Sequence, residues 1–248
     1  MAVFAVTDTI FTDASLPIVA RDPAIDAYTK FCFDVLDPYT WPSQAGAAIG
    51  ASLIDLAEND NATVSTAALT WNNGLVFGPS SSILLPVSSN LASDVLSFGI
   101  SVWVKFANLS GTFDSILTHG KSGSGFDNTQ YIIYSSGTSL LWAISGQSFT
   151  SPFVLSIGRA YQIGITIVKS GLDYIGTLWV DGVAVDSKTV SGPMVSALTK
   201  TAARIGFGDI FGASSENLKL LRCNANALTS YSAVQFIADD YAVGQSRF

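Results

Sequence analysis

Polar and apolar side chains alternate with a period of two in the chain from residue 71 onwards. The clearest stretch is FGISVWVKF, residues 98–106, in which every second side chain is apolar. Ser101, Trp103 and Lys105 lie between these positions and point the other way. This pattern predicts a half-buried strand with one face on the core.

More strands are predicted at short intervals, separated by segments rich in Gly, Ser, Asn and Asp. They are Ser82–Leu85, Phe113–Thr118, Tyr131–Tyr134, Leu140–Ile144, Tyr161–Val168, Tyr174–Val180, Val183–Thr189, Ala203–Phe207 and Leu218–Cys223. Many short strands with turn residues between them indicate a sandwich or a barrel. No long helical pattern lies between the strands, which argues against a parallel α/β sheet.

The dipeptide Asp181-Gly182 lies between two strand-forming runs, TLWV and VAVDS. Asp-Gly supplies the two positive φ angles of a type I′ turn, whose twist matches that of the flanking strands. A β-hairpin is therefore predicted at this position.

One helix is predicted near the C-terminus, in LTSYSAVQFIADDY. Thr229 and Ser230 are candidate N-caps, and Ser232 and Gln235 are spaced for a capping box. We expect a helix of about two to three turns that packs on the edge of the sandwich. Its apolar face is expected to contain Val234, Ile237 and Ala238.

Residues 1–30 differ from the rest of the chain, because they combine two prolines, several aspartates and two short apolar runs. We interpret them as an extended arm, with a short helix near Asp22–Lys30, of the kind that docks on a neighbouring subunit. A first strand followed by a loop is the alternative. The globular domain is then residues 31–248.

The charge of the chain is low and unevenly placed. Charged residues make up 12% of the sequence, about half of the average for a soluble domain. Residues 1–70 hold nine acidic and two basic residues, whereas residues 71–248 hold ten of each, and the net charge is −7. Nucleic acid is an unsuitable partner, because the basic stripe that neutralises phosphates is missing. The neutral part suits packing against other subunits or copies of itself, although a Ser, Thr and Asn surface that provides solubility is the alternative.

Targeting and cysteine signals are sparse. The start of the chain has no basic segment before its first apolar run, and no stretch approaches the length of a membrane span, so we expect a complete gene product without a signal peptide. Cys32 and Cys223 form no C-x-x-C pair, which argues against a structural zinc site. Free buried thiols are expected, because a disulfide needs an oxidising compartment.

Several stretches follow one another in a familiar order. They are Phe31–Val35, Leu53–Thr63, Leu75–Pro86, Phe98–Phe106, Ile116–Gly120 (ILTHG), Leu178–Val183 (LWVDGV), Arg204–Gly208 (RIGFG) and Phe211–Ile237. In this order and spacing, over roughly residues 31–245, the chain resembles the laminin G-like and concanavalin A-like jelly-roll family. The resemblance implies an all-β, two-sheet antiparallel jelly-roll sandwich. It also implies that the first and last strands are neighbours, which would bring Cys32 close to Cys223.

The chain departs from the pattern of this family at two places. Residues 159–163 read RAYQI where the family often has a tryptophan, and residues 217–222 read NLKLLR and lack the family's acidic pair. Calcium ligands vary between members of the family, so none is carried over residue by residue.

The loop of residues 120–130, GKSGSGFDNTQ, is the best candidate for a ligand site. Asp127 and Asn128 are candidate calcium ligands, because calcium accepts carboxylate, amide and carbonyl oxygens. Phe126 and Tyr131 could present an aromatic platform to the face of a sugar. A surface loop without a ligand is the alternative. The candidate glycan site consists of Phe126, Asn128, Gln130 and Tyr131.

Catalytic constellations are weak in this sequence. His119 ends a predicted strand, and no nucleophile-elbow motif surrounds any serine, so we interpret it as a strand-end histidine that faces a loop. Glycoside hydrolysis needs two facing carboxylates, and the two glutamates, Glu58 and Glu216, lie outside any inward-facing β pattern. Trp142 and Trp179 lie within strands and are expected in the core rather than on a sugar platform.

Three functions follow from these observations. The first is a non-enzymatic structural or adhesion protein of a bacteriophage virion, assembled in the host cytoplasm, with a lectin-like domain on a tail fibre, baseplate or capsid that binds host-surface glycans. The second is a free carbohydrate-binding module or lectin. The third is a polysaccharide-active enzyme.

Overall fold

The computed structural model describes residues 22–86, 97–109, 113–120, 129–192, 194, 203–206, 218–228 and 232–248. Within these ranges the chain forms sixteen strands and one helix, α1 (Ala233–Gln245). The strands pair into two antiparallel sheets of eight, here called sheet I and sheet II. The predicted two-sheet antiparallel sandwich with a C-terminal helix is confirmed.

Sheet I contains the strand predicted at residues 98–106, which lies near its centre. Its order across the sheet is β14 (Val183–Val190), β13 (Asp173–Val180), β12 (Ala160–Ser170), β7 (Phe98–Phe106), β16 (Leu218–Ala227), β5 (Leu75–Val76) and β4 (Thr70–Trp71), and β1 (Thr29–Asp34) also pairs with β16.

Sheet II faces sheet I across the core. Its order is β11 (Gln147–Val154), β10 (Ser139–Ile144), β9 (Thr129–Ser136), β8 (Asp114–Gly120), β15 (Arg204–Gly206), β6 (Ser82–Leu84), β3 (Ala62–Ser65) and β2 (Ser52–Leu53). The nine further strands predicted after residue 71 are all present. β11 was not predicted, because it contains Pro152 and its polar and apolar residues do not alternate regularly. As the outermost strand of its sheet it tolerates a proline.

Alternate side chains of both sheets point inward and form one hydrophobic core. Burying each large apolar side chain contributes about 1.5–3 kcal/mol, so this layer is the main source of stability. The largest fully buried apolar side chains in it include Trp142, Tyr131, Tyr161, Phe31, Phe33 and Phe106.

The predicted hairpin is confirmed. Asp181 and Gly182 have φ angles of 51° and 79°, as a type I′ turn requires. The turn also approaches α1, because a Cβ at Gly182 would lie 3.2 Å from the ring of Tyr241.

Helix α1 begins after Ser232, the first residue of the predicted capping box, whose side chain accepts a hydrogen bond from the backbone N–H of Gln235. Thr229 and Ser230, the candidate N-caps, lie outside the described residues. The predicted apolar face is confirmed only for Ile237, which is buried; Val234 is 62% exposed and Ala238 is also exposed. The predicted position at the sandwich edge is wrong, since α1 lies across β7, β12 and β16 in the middle of sheet I. The residues that α1 buries are Phe236, Ile237, Asp240 and Gly244.

The position of α1 explains why β7 is buried on both faces. The expected half-exposed outer face is wrong, because Ser101 and Trp103 are 0% and 3% exposed beneath the helix. Trp103 stacks on Tyr241 with ring centroids 5.7 Å apart. Gly244 also packs against the Trp103 ring, so closely that a Cβ there would overlap it.

The segment before β1 packs on the same side of sheet I. Residues 22–28 form turns, so the short helix expected near Asp22–Lys30 is not present in this segment. Asp22 pairs with Arg222 of β16, and the Asp26 carboxylate accepts a hydrogen bond from Asn226. Residues 1–21 lie outside the described residues, so the arm, and with it the division at residue 31, stays a prediction.

Cys32 and Cys223 lie on neighbouring strands, as the family resemblance implies, and both are free and buried. Phe33 is the register partner of Cys223, whereas Cys32 pairs with Asn224. Neighbouring residues of a strand point to opposite faces. Cys223 therefore lies in the core, and Cys32 points to the outer face, so the two sulfurs are on opposite sides of sheet I.

The free edge of β1 is covered by residues 54–61. Asp55 is buried, and its carboxylate accepts backbone hydrogen bonds from Cys32 at 2.7 Å and Asn59 at 3.0 Å. The Asn59 amide donates in turn to the carbonyl of Thr29. This cover protects an exposed strand edge from pairing with another chain.

Candidate ligand-binding face

One row of residues crosses the outer face of sheet II from edge to edge. Register partners in antiparallel strands share a face, and the core residues Ile205 and Leu117 alternate with Arg204 and Thr118. Strands lie about 4.8 Å apart, so this row of eight residues spans about 34 Å. In order, the row is Ser52, Thr63, Leu84, Arg204, Thr118, Ile132, Ala143 and Ser148.

A second, shorter row runs beside the first, over the half of the sheet that ends at β11. It consists of Ser115, Tyr134, Leu141 and Thr150. The two rows together are called the sheet II face below. Hydroxyl groups dominate this face, and Arg204 is its one formal charge. Ser52, Ser148 and Thr150 are exposed on this face, so their hydroxyls can contact a ligand, whereas Ser115 and Thr118 are buried.

Exposure differs along the sheet II face. Its middle is buried, with Ile132, Tyr134 and Ala143 at 3%, 2% and 0% exposure in a small apolar cluster. Ser148 and Thr150 are exposed on one side of this cluster, and Arg204 is half-buried on the other. The accessible chemistry is therefore a set of hydroxyls and one guanidinium on either side of an apolar centre.

Two aromatic rings mark the end of the shorter row. Phe113, just before β8, stacks on Tyr134 with ring centroids 5.2 Å apart, and Phe113 keeps an exposed side. The Tyr134 and Ser148 hydroxyl oxygens are 3.5 Å apart. Burial raises the pKa of the Tyr134 phenol, and the Ser148 contact opposes this effect less strongly. The phenol therefore stays protonated and can donate a hydrogen bond.

The loop favoured by the sequence is only partly described. Phe126, Asp127 and Asn128 lie outside the described residues, so their glycan and calcium roles stay predictions. Gln130 and Tyr131 are buried. The Tyr131 ring lies in the core, 6.3 Å from the Phe98 ring centroid, and therefore presents no face to a sugar in this conformation.

The other aromatic and histidine residues have structural positions. Trp142 and Trp179 are buried, as predicted, and their indole N–H groups donate to Asp186 at 3.0 Å and Thr166 at 2.8 Å. His119 is near the end of β8, as expected, but it is buried, with its ring 5.4 Å from that of Tyr131. The expectation that it faces a loop is therefore wrong.

The outer face of sheet I is occupied by the helix, with a buried polar layer between them. The Asp240 carboxylate accepts hydrogen bonds from Ser101 at 2.8 Å, Gln162 at 3.1 Å and Arg222 at 2.8 Å. The Trp103 indole also donates to it, at 3.2 Å. These groups satisfy one another, which indicates a structural contact rather than a place for a ligand.

Charge clusters add little to the candidate site. Among the described residues, no three His, Cys, Asp or Glu side chains are placed to hold a metal ion.

A cleft of about 500 Å³ lies between α1 and the turns on either side of β1, and its lining includes Asp22, Asp37, Asp239 and Arg247. In the described part of the chain, no helix is long and apolar enough to cross a membrane.

The sheet II face was missed by sequence analysis, although most of its strands were predicted. Arg204 and Thr118 are adjacent in the sheet but far apart in the sequence. Alternation shows which residues of one strand share a face, but it does not show which strands lie side by side. The signal that could have pointed to this face is the run of Ser and Thr at outward positions.

No family model and no curated protein sequence matches the chain. Solved structures do match. A Trypanosoma rangeli sialidase, in complex with 2,3-difluoro-KDN, has a TM-score of 0.63 at 15% identity, over 90% of this chain and 34% of the sialidase. The chain thus spans about a third of that protein.

Two further solved structures that match are binding domains. The CBM40 domain of the Ruminococcus gnavus IT-sialidase, bound to α2,3 sialyllactose, has a TM-score of 0.52 at 13% identity, over 67% of this chain and 95% of that domain. The Botulinum neurotoxin serotype D binding domain has a TM-score of 0.55 at 12% identity, over 91% and 53% of the two chains. At these identities the likeness shows the fold alone, a lectin-like β-sandwich of the concanavalin A type.

Proposed function

We propose that the chain is a non-enzymatic glycan-binding module that holds a saccharide on the sheet II face. One observation carries this proposal: α1 covers the outer face of sheet I, whereas no described element lies across the outer face of sheet II. Within the described part of the chain, a ligand that uses the broad face of a sheet therefore has its place on sheet II, on the exposed side that holds Ser148 and Thr150.

The chemistry of this face suits a sugar. Ser148 and Thr150 offer exposed hydroxyl donors and acceptors, and Arg204 offers guanidinium donors. The half-buried Leu141 supplies an apolar surface for the C–H groups of a pyranose ring. Such a combination of apolar contact and a few polar groups is typical of small-molecule sites. The bound sialyllactose of the CBM40 domain and the binding role in the name of the neurotoxin domain support the proposal by analogy of fold.

Absence of catalysis is part of the same proposal. Glycoside hydrolysis uses two carboxylates that flank the scissile bond. Neither row of the sheet II face contains an Asp or a Glu. Bound oligosaccharide should be recovered intact after long incubation, and release of a reducing sugar would favour an enzyme instead.

A glycan array tests the proposal with matched variants. Thr150 and Thr189 are both exposed threonines on outermost strands, β11 of sheet II and β14 of sheet I. Thr150→Trp should abolish binding by covering the face, whereas Thr189→Trp should leave it unchanged. Arg204→Gln should weaken binding, and Arg159→Gln, at a surface position away from the face, should not. Equal binding by all four variants would place the site elsewhere, and no binding by the wild type would reject the function.

The loop of residues 121–128 joins two strands of this sheet, β8 and β9, and we include it in the proposal. Phe126 and Asn128 would extend the glycan contact, and Asp127 with Asn128 would hold calcium. A rise in melting temperature with calcium that Asp127→Asn removes supports this extension. If calcium does not change the melting temperature of the wild type, the calcium site in the loop is rejected, but the glycan site on the sheet II face is not.

The site of action that we propose is a virus particle, where the module would sit on a tail fibre, baseplate or capsid. The observation that favours this is the low charge: residues 71–248 are neutral and suit close packing with other subunits. Detection of the chain in stoichiometric, symmetric copies in purified particles supports this location. A monomer that occurs only in the soluble fraction favours a free lectin.

A further inference from the structure

Two lysines lie directly opposite each other in the middle of sheet I. Lys105 of β7 and Lys219 of β16 are register partners. They are also the one position in each of these long strands that is not buried. The pair therefore marks an opening in an otherwise covered surface.

The opening lies just beyond the C-terminal turns of α1. Gly244 of α1 packs on Trp103, two residues before Lys105 on the same face. Across the sheet, Ala160 is the register partner of Lys105, and Val76 is the partner of Lys219. Ala160 and Val76 are half-buried, so small apolar side chains flank the two ammonium groups.

This arrangement is electrostatically unfavourable without a further group. Like charges directly opposite each other in an antiparallel ladder are destabilising. Partial burial lowers the pKa of Lys219, and the charge of Lys105 lowers it further. The negative end of α1 opposes this repulsion only over the last turn of the helix.

Four other cations of the described chain have acidic partners. Arg159, Lys188, Arg222 and Arg247 each form an ion pair with an aspartate. Neither Lys105 nor Lys219 has such a partner among the described residues.

We propose that Lys105 and Lys219 form a binding site for a single anionic group, a carboxylate, sulfate or phosphate. One anion between two ammonium groups replaces a repulsion with two charge-assisted hydrogen bonds. The flanking Ala160 and Val76 are half-buried and apolar, so they suit contact with the apolar part of a small organic anion. A long polyanion fits less well, because the net charge of the chain is −7 and repels it.

Thermal unfolding in sodium sulfate, phosphate or glucuronate, against sodium chloride at equal ionic strength, tests this site. Glucose is the neutral control for glucuronate. The wild type should gain melting temperature with the three anions and not with glucose. Lys105→Met and Lys219→Met keep the apolar stems and remove the charge. Each should be more stable than the wild type in chloride and should lose the gain from the anions.

Lys30→Met is the matched control, because it removes a lysine from β1, where no second lysine is its register partner. It should keep the full response to the anions. A direct measurement on the wild type covers the case in which a variant does not fold: the pKa of the Lys219 amine, followed by NMR, should rise when sulfate is added. An unchanged amine pKa, or an equal anion response in the Met variants, overturns the proposal. Both outcomes are independent of glycan binding on sheet II.

Discussion

The Arg222 guanidinium donates from Nε to the Asp240 carboxylate over 2.8 Å, and neither side chain is exposed. This pair joins the last strand of sheet I to the helix that covers it. Arg222 also contacts Asp22 and Asp34, so one buried cation holds three segments of the chain together. The contact therefore helps to hold α1 over the outer face of sheet I.

Replacement of Arg222 by methionine is expected to destabilise the protein by about 3–5 kcal/mol, because it leaves buried carboxylates without their cation. Arg159→Met is the matched control: Arg159 also pairs with an aspartate, Asp181, but its side chain is 54% exposed. Loss of this surface pair should cost less than about 1 kcal/mol. Urea unfolding of the two variants measures both values, and equal costs would show that the buried pair has no special role.

Stability should depend on Asp240 at low pH. Burial raises the pKa of this carboxyl, but the charge and hydrogen bonds of Arg222, with those of Gln162 and Ser101, outweigh burial and bring the pKa below its usual value. Such a group stabilises the fold above the unfolded pKa of about 3.9 and loses this effect as pH falls through the folded value. Asp240→Asn should therefore be less stable at neutral pH but lose less stability as pH falls below the unfolded value. Urea midpoints across this range test it, and parallel curves for variant and wild type would contradict it.

Asp34 should have the opposite pH dependence. Burial raises the pKa of its carboxyl, and Arg247 and Arg222 offset this only in part. A raised folded pKa means that stability falls as pH rises from the unfolded value of about 3.9 through the folded one. Relative to the wild type, Asp34→Asn should therefore gain stability over this window. Asp37→Asn, in the turn that follows β1, is the control. A stability difference between Asp34→Asn and the wild type that does not change with pH would contradict the raised pKa of Asp34.

Gly244→Ala tests the fit of α1 on sheet I. Alanine is the better helix former by about 1 kcal/mol, so helix propensity alone predicts a gain. A Cβ at this position would overlap the Trp103 ring, and overpacking of this kind costs about 1–3 kcal/mol. We expect a net loss in urea unfolding. Val234→Ala, at an exposed position of the same helix, should change stability little, and a stabilised Gly244→Ala would show that α1 does not pack here.

Both thiols should be unreactive in the folded protein. Burial raises the pKa of Cys32 and of Cys223, and the two sulfurs lie on opposite faces of sheet I. Thiolate is the reactive form, so a thiol reagent should label neither residue in native buffer and both in denaturant. A mass that corresponds to a disulfide after mild oxidation of the native protein is the result that this geometry forbids.

The local features of the fold could be predicted from the sequence. Alternation predicted β7, the Asp-Gly dipeptide predicted the hairpin at Asp181, and the capping-box spacing predicted the helix start at Ser232. The face of α1 could not be predicted in the same way. Asp240 looks like a solvent-facing position in the sequence, because its buried partner Arg222 belongs to a distant strand.

The candidate site was harder to predict, because it depends on contacts between strands that are far apart in the chain. Tyr131 belongs to a β pattern and was assigned to a sugar platform, yet the register of β9 with β10 turns its ring into the core. The adjacent residue, Ile132, is the one on the sheet II face. A shift of one residue along a strand changes the face on which a side chain lies. The position of Tyr131 next to the loop therefore did not show whether its ring faces the core or the outside.

A glycan that binds on the sheet II face should be detected by an NMR titration with a saccharide selected on the array. The backbone amides of Ser115, Leu141, Ser148 and Thr150 should shift with one common dissociation constant, while those of α1 stay in place. Shifts that cluster on α1 or on sheet I, or no shifts at saturating saccharide, would contradict it.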